Sequence, residues 1–129
     1  DVAMARDMGC DGIIVSNHGG RQLDGAISPI AALPGILQEA GEMTVMLDSG
    51  VRRGTDVLKA LALGAQFVFV GRPMLYGAAL AGAAGVHYAI DLLSAEIDRD
   101  MALLGIGELS EMTRDFLVLP EALEHRSAP

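Results

Sequence analysis

Three successive strand–loop–helix units predict a parallel α/β fold, and three observations carry that prediction. Short apolar runs end at residues 15–16, 47–48 and 70–71. Each run gives way to a loop bearing glycine and arginine, and then to a helical pattern. The apolar mass is aliphatic: hydrophobic residues make up 51% of the chain and aromatic residues 4%, as buried parallel strands and the helices packed on them require. Such alternation implies right-handed crossovers. It leaves two architectures, a doubly wound open sheet and a (β/α)8 barrel, and in both of them function gathers at the C-terminal ends of the strands. Three parallel strands alone leave two open edges. The sequence therefore reads as one segment of a barrel, completed by polypeptide outside it and inactive alone.

The elements follow in order. Asp1–Met8 is expected to be a short helical remnant closed by Gly9. Asp11–Ser16, with Gly12-Ile13-Ile14-Val15 at its centre, is a buried strand, and a loop then runs from Asn17 to Ile27. Ser28-Pro29 starts a helix, with serine as the cap and proline at the first helical position. That helix runs to Ala40 and stops at Gly41, with Pro34 expected to kink or split it. Met43–Leu47 is the second strand, and Thr55 or Asp56 opens a helix that Gly64 stops. Gln66–Val70 is the third strand. A helical stretch over 74–84 precedes a longer one over 86–104, whose apolar face is Val86, Ile90, Leu93, Ile97, Met101 and Leu104. Residues 1–104 thus form the βα units, and residues 105–129 a short helix around Leu109–Arg114 and a loose tail.

Composition excludes several functions. A net charge of −8 argues against nucleic acid as a partner. No apolar run approaches the ~20 residues that span a membrane. Asp1–Asp7 has neither the basic start nor the apolar core of a signal peptide; with no initiator Met, Asp1 is expected to lie inside a longer polypeptide. The single Cys10 rules out an internal disulfide or a Cys-based zinc site, and is expected to be a packed thiol. His87 and His125 have no ligand-like spacing to acids, so no metal is expected. Gly105-Ile106-Gly107 follows no strand and does not complete a dinucleotide fingerprint.

Four of the nine Lys and Arg residues, Arg21, Arg52, Arg53 and Arg72, fall at or just after strand ends. An acidic chain that gathers its arginines there is built to bind an anion. In the first loop, Ser16-Asn17-His18-Gly19-Gly20-Arg21-Gln22-Leu23-Asp24 places His18 three residues from Arg21. A base near neutral pKa beside a guanidinium that grips a carboxylate suits removal of hydrogen from a carbon next to that carboxylate. The plain alternative is a polar loop with a chance His and Arg. Asp48-Ser49-Gly50-Val51-Arg52-Arg53-Gly54 and Gly71-Arg72 suit a phosphate dianion: glycines admit backbone N–H groups, arginines supply charge, and a following helix N-terminus adds its dipole. Ordinary turn glycines with solvated arginines are the alternative there. Asp48 is open between contacting a cofactor or substrate hydroxyl and pairing with Arg52 or Arg21. Barrel phosphate sites commonly form after strands 7 and 8, which numbers these strands 6, 7 and 8.

The run Ser16–Gln22 resembles the active-site signature of the FMN-dependent 2-hydroxy acid oxidases and dehydrogenases. Asp48–Asp56, Lys59–Ala65 and Gly71-Arg72-Pro73 resemble the same family in order and spacing. Ser49 and the stretch Asp24–Pro29 are similar to its mandelate- and lactate-dehydrogenase-like members. The resemblance implies a (β/α)8 barrel with FMN at its C-terminal mouth, oxidising an (S)-2-hydroxy acid to the 2-oxo acid. It implies His18 as the active-site base and Arg21 as the anchor of the substrate carboxylate. Asp48, Ser49, Gly50, Val51 and Arg52 would line the flavin site; Gly50, Arg52, Gly71 and Arg72 would hold the phosphate, with Arg53 adjacent. A Lys near the flavin, substrate-side tyrosines and an Asp that orients the histidine belong to earlier strands. The implied partners are therefore the N-terminal part of the same enzyme and, by family precedent, three further copies in a homotetramer. The expected location is cytoplasmic, with membrane association of the parent enzyme left open; the electron acceptor is unassigned. The alternatives are another phosphate-binding barrel enzyme (isomerase, lyase or nucleotide dehydrogenase) and a non-catalytic barrel fragment.

Overall fold

The structure, a computed structural model, describes residues 1–119. Helix α1 (Val2–Asp7) leads into β1 (Gly12–Val15), followed by α2 (Pro29–Ala40), β2 (Thr44–Leu47), α3 (Gly54–Leu63), β3 (Phe67–Val68) and α4 (Arg72–Leu104). The strands are parallel in the order β1-β2-β3, with Val15 opposite Leu47 and Leu47 opposite Val68. That register brings all three strand ends to one line, so the loops after them share one end of the sheet. β3 is shorter than expected, yet Gln66 N–H donates to Val45 O at 2.9 Å and Phe69 N–H to Leu47 O at 2.8 Å, which extends its pairing at both ends.

The helices cover one face only. Leu33, Val45 and Leu47 are fully buried between sheet and helices, joined by Val15, Ala40, Met43, Val51, Ala60 and Ala65. The other face carries the row Ile14, Met46 and Phe67, paired across the three strands. Ile14 is 53% and Phe67 55% exposed. An alternating strand must turn one set of side chains away from the helices, and among the described residues no element packs on that set. One covered face, one bare apolar face and two unpaired edges are what three neighbouring barrel strands look like.

Several local expectations need correcting. Ser28 is the N-cap of α2, but its side chain makes no capping bond. Pro34 is buried inside α2 without splitting it; the helix runs unbroken through Ala40. Cys10 is exposed, not packed, on the connection from α1 to β1. By length and composition α4 is apolar enough to cross a membrane, with a window of mean hydropathy 1.3, contrary to the sequence expectation. The run is broken, however: Ala81 (φ −148°, ψ 25°) and Gly82 (φ 56°, ψ −136°) are non-helical. The apolar window straddles that break, since Asp91, Glu96, Asp98, Arg99 and Asp100 charge the second arm. The arms meet where Gly77 and Gly85 touch backbone to backbone, and a Cβ on either would clash with the other. Two helical stretches were expected, and two arms are present. Beyond α4, the expected short helix is two 3₁₀ turns, Leu109–Glu111 and Arg114–Phe116. Met112 between them is buried with Leu58, Ala62 and Met101, and Leu117 packs on that cluster. The rest of the expected tail, His125 included, lies outside the described residues.

Candidate active site

The first loop closes on itself directly after β1. His18, Gly19 and Gly20 have φ of 57°, 67° and 69°, three consecutive left-handed residues. Glycine adopts that region freely and a side-chain-bearing residue seldom does, so the two glycines after His18 are what allow the turn and His18 carries its strain. The turn exposes the imidazole and brings Arg21 back to it: Arg21 Nη2 lies 3.0 Å from His18 Nε2. A guanidinium has no acceptor. Nε2 is therefore the acceptor of this contact.

The second loop is tied to the first. Because Val15 faces Leu47, the next residues, Ser16 and Asp48, come side by side. Ser16 Oγ donates to Asp48 Oδ2 at 2.6 Å, and Ser49 Oγ donates to the same oxygen at 3.0 Å. His18 N–H donates to Ser16 Oγ at 3.1 Å and Gly19 N–H to Ser49 Oγ at 2.9 Å. Asp48 thus pairs with two hydroxyls and with neither Arg52 nor Arg21.

The third loop reaches the same place. Arg72 Nη2 donates to Gly19 O at 3.0 Å. All nine residues singled out in the sequence, His18, Arg21, Asp48, Ser49, Gly50, Val51, Arg52, Gly71 and Arg72, line one cavity of about 460 Å³, within the size range of small-molecule sites. Phe69 and Leu75 add apolar walls. Sequence reasoning passed over these two, and over the tethering roles of Ser16 and Gly19. Their only signal was adjacency to a strand end.

The N-terminus of α3 is already occupied by the protein's own carboxylates. Arg52 and Arg53 N–H groups donate to Asp56 Oδ2 at 2.9 and 3.0 Å, and Gly54 N–H to Glu96 Oε2 at 2.8 Å. Arg53 also pairs with Glu96 at 2.8 Å, which turns it away from the cavity. The Gly54 amide, the Arg53 guanidinium and the Arg99 charge together hold the Glu96 carboxyl below the usual glutamate range, against its burial. A Cβ on Gly54 would press on the Glu96–Ile97 backbone of α4, so only glycine permits this approach. Anion-binding capacity is left to Gly50, Arg52, Gly71 and Arg72. A Cβ on Gly50 or Gly71 would meet nothing within 4 Å; both glycines open onto free cavity space. The start of α4 has no capping carboxylate.

A profile of the FMN-dependent dehydrogenase family matches residues 1–119. The chain belongs to that family. It is 52% identical over 120 residues to an L-lactate oxidase of Nostoc sp., covering 92% of this chain and 33% of that protein. A peroxisomal (S)-2-hydroxyacid oxidase of Arabidopsis thaliana is 52% identical over 116 residues, covering 89% and 32%. Among solved structures, a soluble mutant of the membrane-associated (S)-mandelate dehydrogenase of Pseudomonas putida superposes with a TM-score of 0.85 at 46% identity, over 90% of this chain and 33% of that one. A flavocytochrome b2 superposes with a TM-score of 0.88 at 43% identity, over 100% and 35%. The chain therefore spans about a third of the length of the relatives it matches, and it is a partial barrel. FMN is the cofactor of this family. Two glycines open to the cavity, two arginines lining it and an uncapped helix start are a donor set that fits its phosphate.

Proposed function

We propose that the protein carrying this chain oxidises an (S)-2-hydroxy acid to the 2-oxo acid, with these strands as strands 6, 7 and 8 of the barrel. The observation that carries the reading is the His18–Arg21 pair, 3.0 Å apart, on the same cavity as Arg52, Arg72, Gly50 and Gly71. A proton acceptor and a carboxylate fork lie on one loop, and a phosphate-type donor set on the next two.

The oxidation removes two electrons and two protons from the substrate; bound FMN would take up both electrons and one proton, leaving one proton for a base. Arg21 binds the substrate carboxylate through two parallel N–H bonds, which also turns it away from Nε2 of His18. That nitrogen then takes a proton from the substrate. Arg72, Arg52 and the Gly50 and Gly71 backbone hold the phosphate, while Asp48 and Val51 line the flavin site. The N-terminal part of the barrel supplies the remaining wall.

The test is His18→Ala in the whole FMN-loaded protein. Turnover should fall by about 10²- to 10⁴-fold with FMN affinity kept. Turnover within a few-fold of the parent removes His18 from the chemistry.

A further inference from the structure

We propose that Ser49 is a positioning residue for His18, acting through the hydroxyl that joins the carboxylate of Asp48 to the backbone of the His18–Gly20 turn. The proposal rests on the reading of His18 as the base.

Ser49 has φ 84°. Glycine would adopt that backbone freely, whereas serine is strained there, so the side chain must return something that glycine cannot. What it returns is a fixed polarity. The Ser49 proton goes to Asp48 Oδ2 at 3.0 Å, which leaves its lone pairs to accept Gly19 N–H at 2.9 Å. Ser16 repeats the device one residue earlier, donating to the same oxygen at 2.6 Å and accepting His18 N–H at 3.1 Å. The two hydroxyl oxygens also lie 3.2 Å apart, within hydrogen-bond distance of each other. Two successive peptide N–H groups of the turn thus hang from one anion. Bonds to an ionised acceptor are the shorter and stronger kind, and chains of them reinforce one another. Arg72 holds the carbonyl of Gly19 at 3.0 Å, so that residue is gripped at both its N–H and its C=O.

Of these contacts, only the one through Ser49 comes from the loop after β2 at the cost of a positive φ. Without it, the turn keeps the Ser16–Asp48 and Arg72 contacts, but the Gly19 N–H loses its hold on the second loop. The imidazole then samples a wider range, while the flavin-side backbone of Gly50 and Val51 is untouched.

The experiment uses the whole FMN-loaded protein as Ser49→Gly, Ser49→Ala and Ser49→Gly combined with His18→Ala, assayed with lactate and mandelate. Expected for Ser49→Gly is a fall in kcat of about 10- to 100-fold, the scale on which misplacement of a reacting group by about 1 Å acts. KM and FMN affinity should change less than about two-fold, and Tm should hold or rise because strain is released. Ser49→Ala should match it in kcat with a lower Tm. In the His18→Ala background Ser49→Gly should cost nothing more, since residues acting as a unit are non-additive. A Ser49→Gly kcat within about two-fold of the parent overturns the proposal. So does a fall in kcat that tracks a loss of FMN, which makes Ser49 a cofactor contact, or a full further loss in the double variant. Should His18→Ala itself retain turnover, the reading of the site has failed, and the arms separate that failure from failure at Ser49.

Discussion

Arg21 Nη2 stands 3.0 Å from His18 Nε2, so the residue expected to grip the substrate covers the nitrogen expected to take its proton. A substrate carboxylate that recruits Arg21 uncovers the base in the same movement. Arg21→Lys keeps the charge and loses the planar fork. A hydrogen bond to a charged group is worth about 1.5–3 kcal/mol, so kcat/KM for a 2-hydroxy acid should fall roughly 10- to 100-fold, with FMN affinity unchanged. Steady-state kinetics and a flavin titration of the variant check both halves. Unchanged kcat/KM would remove Arg21 from substrate binding.

Arg72 bridges the cavity to the Gly19 carbonyl at 3.0 Å and is expected to share its guanidinium with a phosphate. Arg72→Ala should weaken FMN binding by about 10- to 100-fold through loss of a charge-assisted bond. Riboflavin, which lacks the phosphate, should bind parent and variant alike. Fluorescence titration of the flavin-free protein with both ligands is the measurement. Equal losses for the two would place Arg72 elsewhere than at the phosphate.

Glu96 links α4 to the start of α3 through Gly54 N–H at 2.8 Å and Arg53 at 2.8 Å. Its carboxyl is held below its ordinary range, so the unfolded chain binds that proton more readily than the folded one. The resulting stabilisation is present in full above about pH 5 and is lost as pH falls through the lowered folded value. Glu96→Gln should lower the urea midpoint at pH 7 and flatten its fall below about pH 5. An identical pH profile for parent and variant would show that the pair contributes nothing to stability.

Much of this was legible in the sequence, for definite reasons. The Ile13-Ile14-Val15 run and the Gly9, Gly41 and Gly64 stops are local signals, and they bound elements at nearly the observed positions. That the nine residues named from the family resemblance line one cavity follows from the convergence of strand ends in a parallel sheet. What needed register was hidden. Ser16 meets Asp48 only because Val15 pairs with Leu47. Arg53 looked like a phosphate neighbour until packing set Glu96, far along the chain, against it. Cys10 looked packed because cysteine usually is, but it is exposed on the connection from α1 to β1.

The most direct test of the central claim is an anaerobic absorbance titration of the whole protein with lactate and with mandelate. Bleaching of an oxidised-flavin band by either acid, lost in His18→Ala, is the predicted result. A flavin band that neither acid bleaches would contradict the assignment of His18 and Arg21 while keeping the phosphate site, and a protein that binds no flavin would contradict both.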